Sequence, residues 1–199
     1  MWKAKKIKKK ILLFNKINKN RKVNNLDKMP VAISSDAFFF EKDKSGSTLL
    51  LGVGNYLMGD EGIGVHLIQE IAQLKLPENV DILDGGTGGF LLLNCFEAYK
   101  NIIFVDATMD GKPEGTITLI RPKFASDFPS ALSVHDVGLK DMIEAVYLMD
   151  MKSNLWLFTI TIKEIIPMTV GLSPNVKQAI PELISQIFAL AEQLNKEAQ

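Results

Sequence analysis

Residues 49–64 have the sequence LLLGVGNYLMGDEGIG, which joins a short apolar run to a glycine-rich turn and two acidic residues. The apolar run at 49–53 is typical of a strand buried on both faces, as in a parallel sheet. Residues 61–76 follow a helical period and end before Pro77, and their apolar face carries Gly64, Leu67, Ile68, Ile71 and Leu74. The stretch therefore predicts a strand followed by a helix.

The alternation of strand and helix continues down the chain. Further strands are predicted at 80–83, 101–105, 116–120 and 155–162, and further helices at 90–98, from about 137, and over 176–194. The strand at 116–120 follows its predecessor too closely for a crossover helix, so we expect it to run antiparallel. Pro181 is expected to break the last helix into a turn and a longer piece. The pattern predicts an α/β domain with a mixed, mostly parallel sheet.

The amino-acid composition argues against a disulfide-stabilised protein and against a membrane-spanning one. The 199 residues include one cysteine, Cys95, so an intramolecular disulfide is excluded, and no apolar run approaches the roughly 18 residues of a membrane span. We expect a cytoplasmic protein in a reducing compartment. Cys95 lies among Leu92, Leu93 and Phe96, which indicates a core residue and not a nucleophile.

The charge is divided between two unlike parts of the chain. Residues 1–30 hold ten Lys, Arg21 and Asp27, a net charge of 11 − 1 = +10, so the remaining residues carry 12 − 22 = −10. We expect residues 1–46 to be a basic, solvated extension, although helical spacing of its apolar residues also fits a surface-binding helix. The domain at 47–199 is acidic, which argues against a nucleic-acid partner.

Carboxylates and glycines follow three of the predicted strands. Asp60 and Glu61 open the first helix, Asp84 begins a glycine-rich loop at 84–89, and Asp106 ends the third strand. The carboxyl ends of parallel strands share one edge of a sheet, where ligands bind. The sequence therefore predicts one acidic rim, although helix capping also explains Asp60 and Glu61, and a turn also explains Asp106.

Two histidines have different surroundings in the sequence. His135 precedes the helix that begins near Val137, where an imidazole is either a cap or a metal ligand, whereas His66 falls on the polar face of its helix and is expected to be solvated. Two oxygen donors and one imidazole from separate loops would suit nickel, zinc or cadmium with open positions.

Common alternatives fit the sequence poorly. The dinucleotide fingerprint fails because Leu57 occupies the place of its third glycine, and no Walker lysine follows either glycine-rich loop. An aspartic-protease dyad would need a second loop equivalent to the one at Asp84, and the sequence has none.

The motifs taken in order resemble the hydrogenase maturation endopeptidases. They are Gly52-Val53-Gly54-Asn55 with Gly59-Asp60-Glu61-Gly62-Ile63-Gly64, then Asp84-Gly85-Gly86-Thr87-Gly88-Gly89, Val105-Asp106-Ala107 and Ser133-x-His135. The resemblance covers residues 49–194 and implies a three-layer αβα domain with a five-stranded mixed sheet.

The resemblance also implies a function. The enzyme would be a monomeric, aspartyl-type endopeptidase that removes the C-terminal extension of a nickel-loaded hydrogenase large-subunit precursor. Glu61, Asp106 and His135 would recognise the nickel in the precursor, and zinc or cadmium could bind them in vitro. Asp84 would lie at the substrate cleft, and one of the carboxylates would activate water.

The chain departs from the family pattern in two places, and other functions remain open. Residues 1–46 have no family counterpart, and Ile160-Thr161-Ile162-Lys163-Glu164 replaces a common glycine and proline, which bears on the substrate groove near 160–168. A metal-sensing chaperone that binds the precursor without cutting it would use the same rim. A zinc amidohydrolase is a third alternative.

Overall fold

The computed structural model describes residues 44–122, 139–149 and 152–197, all within one unit of the chain, Ile33–Gln199. Its strands are β1 (Lys44–Val53), β2 (Val80–Gly86), β3 (Tyr99–Thr108), β4 (Ile117–Ile120) and β5 (Asn154–Thr161). They lie in the order β2-β1-β3-β5-β4, and only the pairing of β4 with β5 is antiparallel. The predicted mixed, mostly parallel sheet of five strands is confirmed.

Four α-helices cover the sheet within the described residues. They are α1 (Ile63–Ile71), α2 (Leu93–Ala98), α3 (Leu139–Leu148) and α4 (Pro174–Glu197), and short 3-10 turns at Gly59–Gly62 and Gly89–Leu92 precede α1 and α2. None of these helices is both long and apolar enough to cross a membrane.

Two apolar cores lie on opposite faces of the sheet. Alternate residues of β1 point to opposite faces, so Leu50 packs in the core with α1 and α4, whereas Leu49 and Leu51 pack in the core with α2 and α3. Both faces of the central strands are therefore buried, and the chain forms the expected three layers, helix, sheet and helix.

Several elements differ in length from the prediction. β1 begins at Lys44, three residues before the expected domain boundary at 47, and β3 continues to Thr108. α1 ends at Ile71 because the chain tightens into turns in which Leu74 N–H donates to the Ile71 carbonyl at 2.9 Å. Leu74 is consequently 45% exposed, and its assignment to the buried face was wrong.

The expected break at Pro181 was also wrong. α4 runs without interruption from Pro174 to Glu197 with Pro181 inside it. Val176 and Ile180 before the proline, and Leu183 and Ile187 after it, are all buried in the same core. Burial of one continuous apolar face offsets the cost of the hydrogen bond that proline cannot donate.

Candidate active site

The carboxyl ends of β2, β1 and β3 lie side by side in the sheet. Gly52 of β1 pairs with Asp84 on one side and with Val105 on the other. The turn that carries Asp60 and the strand ends that carry Asp84 and Asp106 therefore lie at the same edge of the sheet, as predicted from the strand order.

Close backbone approach at two glycines brings the first acidic turn onto this edge. A Cβ at Gly64 would lie 2.3 Å from the Val53 carbonyl oxygen and 2.4 Å from that of Val105. A Cβ at Gly54, where φ is +132°, would lie 2.2 Å from the Glu61 carbonyl oxygen. The glycines let α1 and the preceding turn lie directly on β1 and β3.

Asp60 and Glu61 are buried in the turn before α1, where they are first-turn acids, but neither of them is the cap. Neither the turn nor α1 has a side-chain cap. Glu61 Oε2 instead accepts a hydrogen bond from the backbone N–H of Asn55, and Asp60 Oδ1 accepts one at 2.6 Å from the backbone N–H of Ser173. The acids thus tie the turn to the neighbouring loops.

Asp106 lies inside β3 and not at its end, so the turn explanation is wrong for this residue. It pairs with Thr159 of β5, it is buried, and its Oδ1 accepts the backbone N–H of Ala107 at 2.8 Å. A buried carboxylate in a central strand is costly unless hydrogen bonds or a cation compensate it. Asp106 is therefore a stronger candidate for a functional group than the sequence indicated.

Asp84 lies at an irregularity in β2. The register shifts so that Gly52 faces Asp84 while Val53 faces Gly86, which leaves Gly85 as an extra residue, a β-bulge that redirects the chain. Asp84 Oδ1 accepts the Gly86 backbone N–H at 3.0 Å. Burial raises the pKa of Asp84, and this exceeds the lowering by the Gly86 hydrogen bond and by His66.

His66 belongs to the same region, which the sequence did not indicate. It is half-buried, its ring lies 4.5 Å from that of Tyr56, and its Nε2 is buried with no hydrogen-bond partner among the described residues. Burial lowers the pKa of His66, and the charges of Asp60 and Asp84 raise it to a smaller extent. The expectation of a solvated histidine was wrong because its helix lies against the acidic loops.

The remaining candidates from the sequence are Cys95, His135 and a metal-binding group of side chains. Cys95 is buried in the core, and burial raises the pKa of its thiol to about 11, so it is not a nucleophile at neutral pH. His135 lies outside the described residues. Within residues 44–122, 139–149 and 152–197, no three His, Cys, Asp or Glu side chains are grouped closely enough to hold a metal ion.

The segment that departs from the family pattern lies next to the acidic turn. Ile160 and Thr161 are the last residues of β5, where Ile160 is buried and the Thr161 hydroxyl donates to Asp110 Oδ1 at 2.8 Å. Beyond them, Thr169 pairs with Met58 in a parallel bridge, directly before the turn that carries Asp60 and Glu61.

Known proteins share this arrangement. The family described as hydrogenase maturation protease (HycI) matches residues 65–190. The hydrogenase 2 maturation protease of Escherichia coli strain K12 is 34% identical over 154 residues, which cover 75% of this chain and 93% of the relative. HupD, a hydrogenase expression/formation protein of Bradyrhizobium diazoefficiens, is 38% identical over 51% of this chain and about half of its own length, 54%.

Solved structures agree with the sequence relatives. The hydrogenase maturating endopeptidase HybD from E. coli superimposes with a TM-score of 0.67 and 32% identity, over 74% of this chain and 93% of HybD. The sheet order, the acidic loops and these matches together establish that the chain belongs to the hydrogenase maturation protease family.

Proposed function

We propose that this endopeptidase removes the C-terminal extension from a nickel-loaded hydrogenase large-subunit precursor. Membership of the family makes the chain a hydrolase that cuts a peptide bond during hydrogenase maturation. The observation that carries the finer proposal is the pair of buried carboxylates, Glu61 in the turn that follows β1 and Asp106 near the carboxyl end of the adjacent strand β3.

Glu61, Asp106 and His135 complete the coordination sphere of nickel that the precursor carries. Oxygen donors and an imidazole suit a first-row divalent metal, and the positive metal charge would offset the cost of burying two carboxylates. Metal loading of the precursor then becomes the condition for cleavage. Zinc or cadmium at high concentration is expected to compete for the same three residues.

Asp84 is the carboxylate best placed to take the proton from water. It is half-buried, whereas Glu61 and Asp106 are buried almost completely. Its raised pKa brings it nearer to neutral pH, where a general base is more effective, and its oxygen is fixed by the Gly86 N–H. The nickel would polarise the scissile carbonyl while Asp84 orients and deprotonates the attacking water.

The proposal places the reaction in the cytoplasm and assigns it to a monomer. A lone cysteine buried in the core needs no oxidising compartment, and the acidic rim requires residues of one chain only. Sedimentation of the purified full chain at micromolar concentration tests the second point, since a stable dimer would contradict it.

Incubation with nickel-loaded and nickel-free precursor, followed by mass spectrometry, tests the function. We expect release of one C-terminal fragment from the nickel-loaded precursor and none from the nickel-free form. A stable complex with the loaded precursor and no fragment would contradict the proposal and support a chaperone that binds without cutting. Equal cleavage of both forms would contradict only the recognition of nickel and would leave the peptidase activity in place.

A further inference from the structure

Two loops beside the acidic turn form one continuous feature. Met58 and Thr169 form a parallel bridge between the loops at 55–58 and 165–170, in which Gly59 N–H donates to the Thr169 carbonyl at 2.8 Å and Thr169 N–H donates to the Leu57 carbonyl at 3.0 Å. We call this feature the apolar ridge, and it is formed by the side chains of Tyr56, Leu57, Ile166, Met168 and Val170.

The apolar ridge is unusually exposed for its composition. Its side chains are 37% (Tyr56), 48% (Leu57), 47% (Ile166), 86% (Met168) and 57% (Val170) exposed. They account for five of the eleven large apolar side chains that are exposed among the described residues. Neither loop contains a charged residue. Exposed apolar side chains grouped on two joined loops mark an interaction site more often than isolated ones do.

Contacts fix the apolar ridge relative to the carboxylates. Leu57 precedes Asp60 by three residues, so their Cα atoms are at most about 11 Å apart. A Cβ at Gly59 would lie 3.7 Å from that of Ile166, so the second loop packs against the start of the turn. The hydrogen bond from Ser173 N–H to Asp60 holds the far end of the same loop. The ridge and the acidic turn therefore form one surface.

The backbone at Met168 gives an independent indication. Its φ is +58°, the left-handed region that bulky residues rarely adopt, and its side chain points into solvent. Strained backbone conformations persist mainly at functional sites. The unbranched methionine side chain also adapts its shape to different apolar partners.

We propose that the apolar ridge binds an apolar stretch of the precursor a few residues from the peptide bond that is cut. The inference rests on the proposed function, because the occupant is identified by the continuity of the ridge with the carboxylate site. An extended peptide spans about 3.3 Å per residue, so a bond held at the carboxylates places neighbouring residues, two to four positions away, over the ridge. Because neither loop carries a charge, the residues of the precursor that bind there are expected to be apolar.

Cleavage kinetics of Leu57→Asn and Met168→Asn in the full chain test the proposal. Both side chains are exposed, and asparagine tolerates the backbone at 168, so the variants are expected to fold. We expect a tenfold or greater fall in kcat/KM for the nickel-loaded precursor, mainly through a higher KM. Met168→Leu keeps an apolar side chain, so its KM should rise much less than that of Met168→Asn.

Leu74→Asn is the matched control. Leu74 is 45% exposed, close to the 48% of Leu57. It lies beyond the carboxyl end of α1, and the nine-residue helix, about 14 Å long, separates it from the acidic turn and the ridge. This variant should cleave like wild type. A comparable loss in Leu74→Asn, or unchanged kinetics in both ridge variants, would overturn the assignment.

Other occupants give different results. If the ridge joined two copies of this chain, wild type would sediment as a dimer, the ridge variants as monomers, and the KM would not change. If wild type failed to cleave the precursor at all, the proposed function would fail. Titration of wild type and Met168→Asn with labelled precursor would then compare their affinities without any cleavage. Equal affinities would overturn the proposed binding role of the apolar ridge.

Discussion

The two ends of the parallel strands use polar residues in different ways. At the amino ends, polar side chains pair with one another, as in Tyr99 with Asp81 at 2.8 Å and Asn154 with Asn101 at 3.0 Å. At the carboxyl ends, the acids of the candidate site, Asp60 and Asp106, accept backbone N–H groups, whereas Thr161 and Asp110 next to them pair through their side chains. A backbone N–H has no formal charge, so these hydrogen bonds orient the two carboxylates without adding a positive charge. We therefore expect the pairs at the amino ends to contribute to stability and the acids at the carboxyl ends to take part in the proposed chemistry.

The largest effect is expected at Gly64, where the carboxyl-end arrangement depends on backbone contact. In Gly64→Ala, the added Cβ would lie 2.3 Å from the Val53 carbonyl oxygen, so α1 must move off the sheet. We expect a loss of about 3 kcal/mol or more in the free energy of unfolding, measured by urea denaturation.

Gly111→Ala is the control for this substitution. Gly111 has φ of +77°, but a Cβ there meets no atom within 4 Å, so only the backbone strain of about 1–2 kcal/mol is expected. A Gly64→Ala protein as stable as Gly111→Ala would show that α1 is free to shift.

One substitution at the carboxyl ends of the strands and one at their amino ends should affect activity and stability separately. Asp106→Asn keeps an oxygen that can accept the Ala107 N–H but removes the charge, so we expect cleavage to fall at least ~100-fold with little change in melting temperature. Tyr99→Phe removes the bond to Asp81, so we expect a loss of about 1 kcal/mol of stability and normal cleavage. Equal activity loss in the two variants would contradict the division of roles.

A smaller, pH-dependent effect on the free energy of unfolding is expected from His66 at the carboxyl ends of the strands. Burial holds its pKa below the usual 6.5, so the unfolded chain binds a proton more readily than the folded chain. Its contribution to stability is therefore complete above about pH 6.5 and is lost as the pH falls through the folded-state pKa. His66→Phe keeps a ring against Tyr56, and its buried edge needs no hydrogen bond.

Urea unfolding at pH 7.5 and 5.5 measures this effect. Wild type should lose more stability on acidification than His66→Phe does. Asp84 has the opposite sign, because its raised pKa favours the folded state at low pH and this contribution is lost as the pH rises through the folded value. His66 also lowers the pKa of Asp84, so removing His66 increases the Asp84 contribution at low pH and shifts the comparison in the same direction. Identical losses in the two proteins would therefore contradict the lowered pKa of His66.

The smallest effect is expected from the basic extension. Since β1 begins at Lys44, the appropriate deletion removes residues 1–43. Exposed charges are screened within about 8 Å at physiological salt, and lysine- and asparagine-rich sequence has little apolar area to offset ordering. We expect less than a twofold change in kcat/KM. A several-fold loss at physiological salt would show that the extension takes part in recognition.

Local patterns were sufficient to predict most of the architecture. The apolar runs gave the strand order along the chain, and the short connection before 117–120 indicated the antiparallel strand. Element ends were predicted less well, since α1 ends at Ile71 through turn hydrogen bonds and α4 continues through Pro181 because its apolar face is buried on both sides of the proline.

The candidate site was predicted where it follows strand ends and missed where it depends on tertiary contact. Glu61, Asp84 and Asp106 lie next to apolar runs, so their common edge follows from the topology of a parallel sheet. The burial of His66, the bond from Ser173 to Asp60 and the pairing of residues 55–58 with 165–170 join segments that are distant in sequence or on a helix face. Periodicity carries no information on such contacts.

Processing of nickel-loaded precursor by Glu61→Gln and His135→Ala, followed by mass spectrometry, tests the central claim most directly. Glutamine retains an oxygen for the Asn55 N–H, so Glu61→Gln should fold normally. The account predicts that neither variant releases the C-terminal fragment, although both keep the melting temperature of wild type to within a few degrees. Normal cleavage by either folded variant would contradict nickel recognition by Glu61, Asp106 and His135.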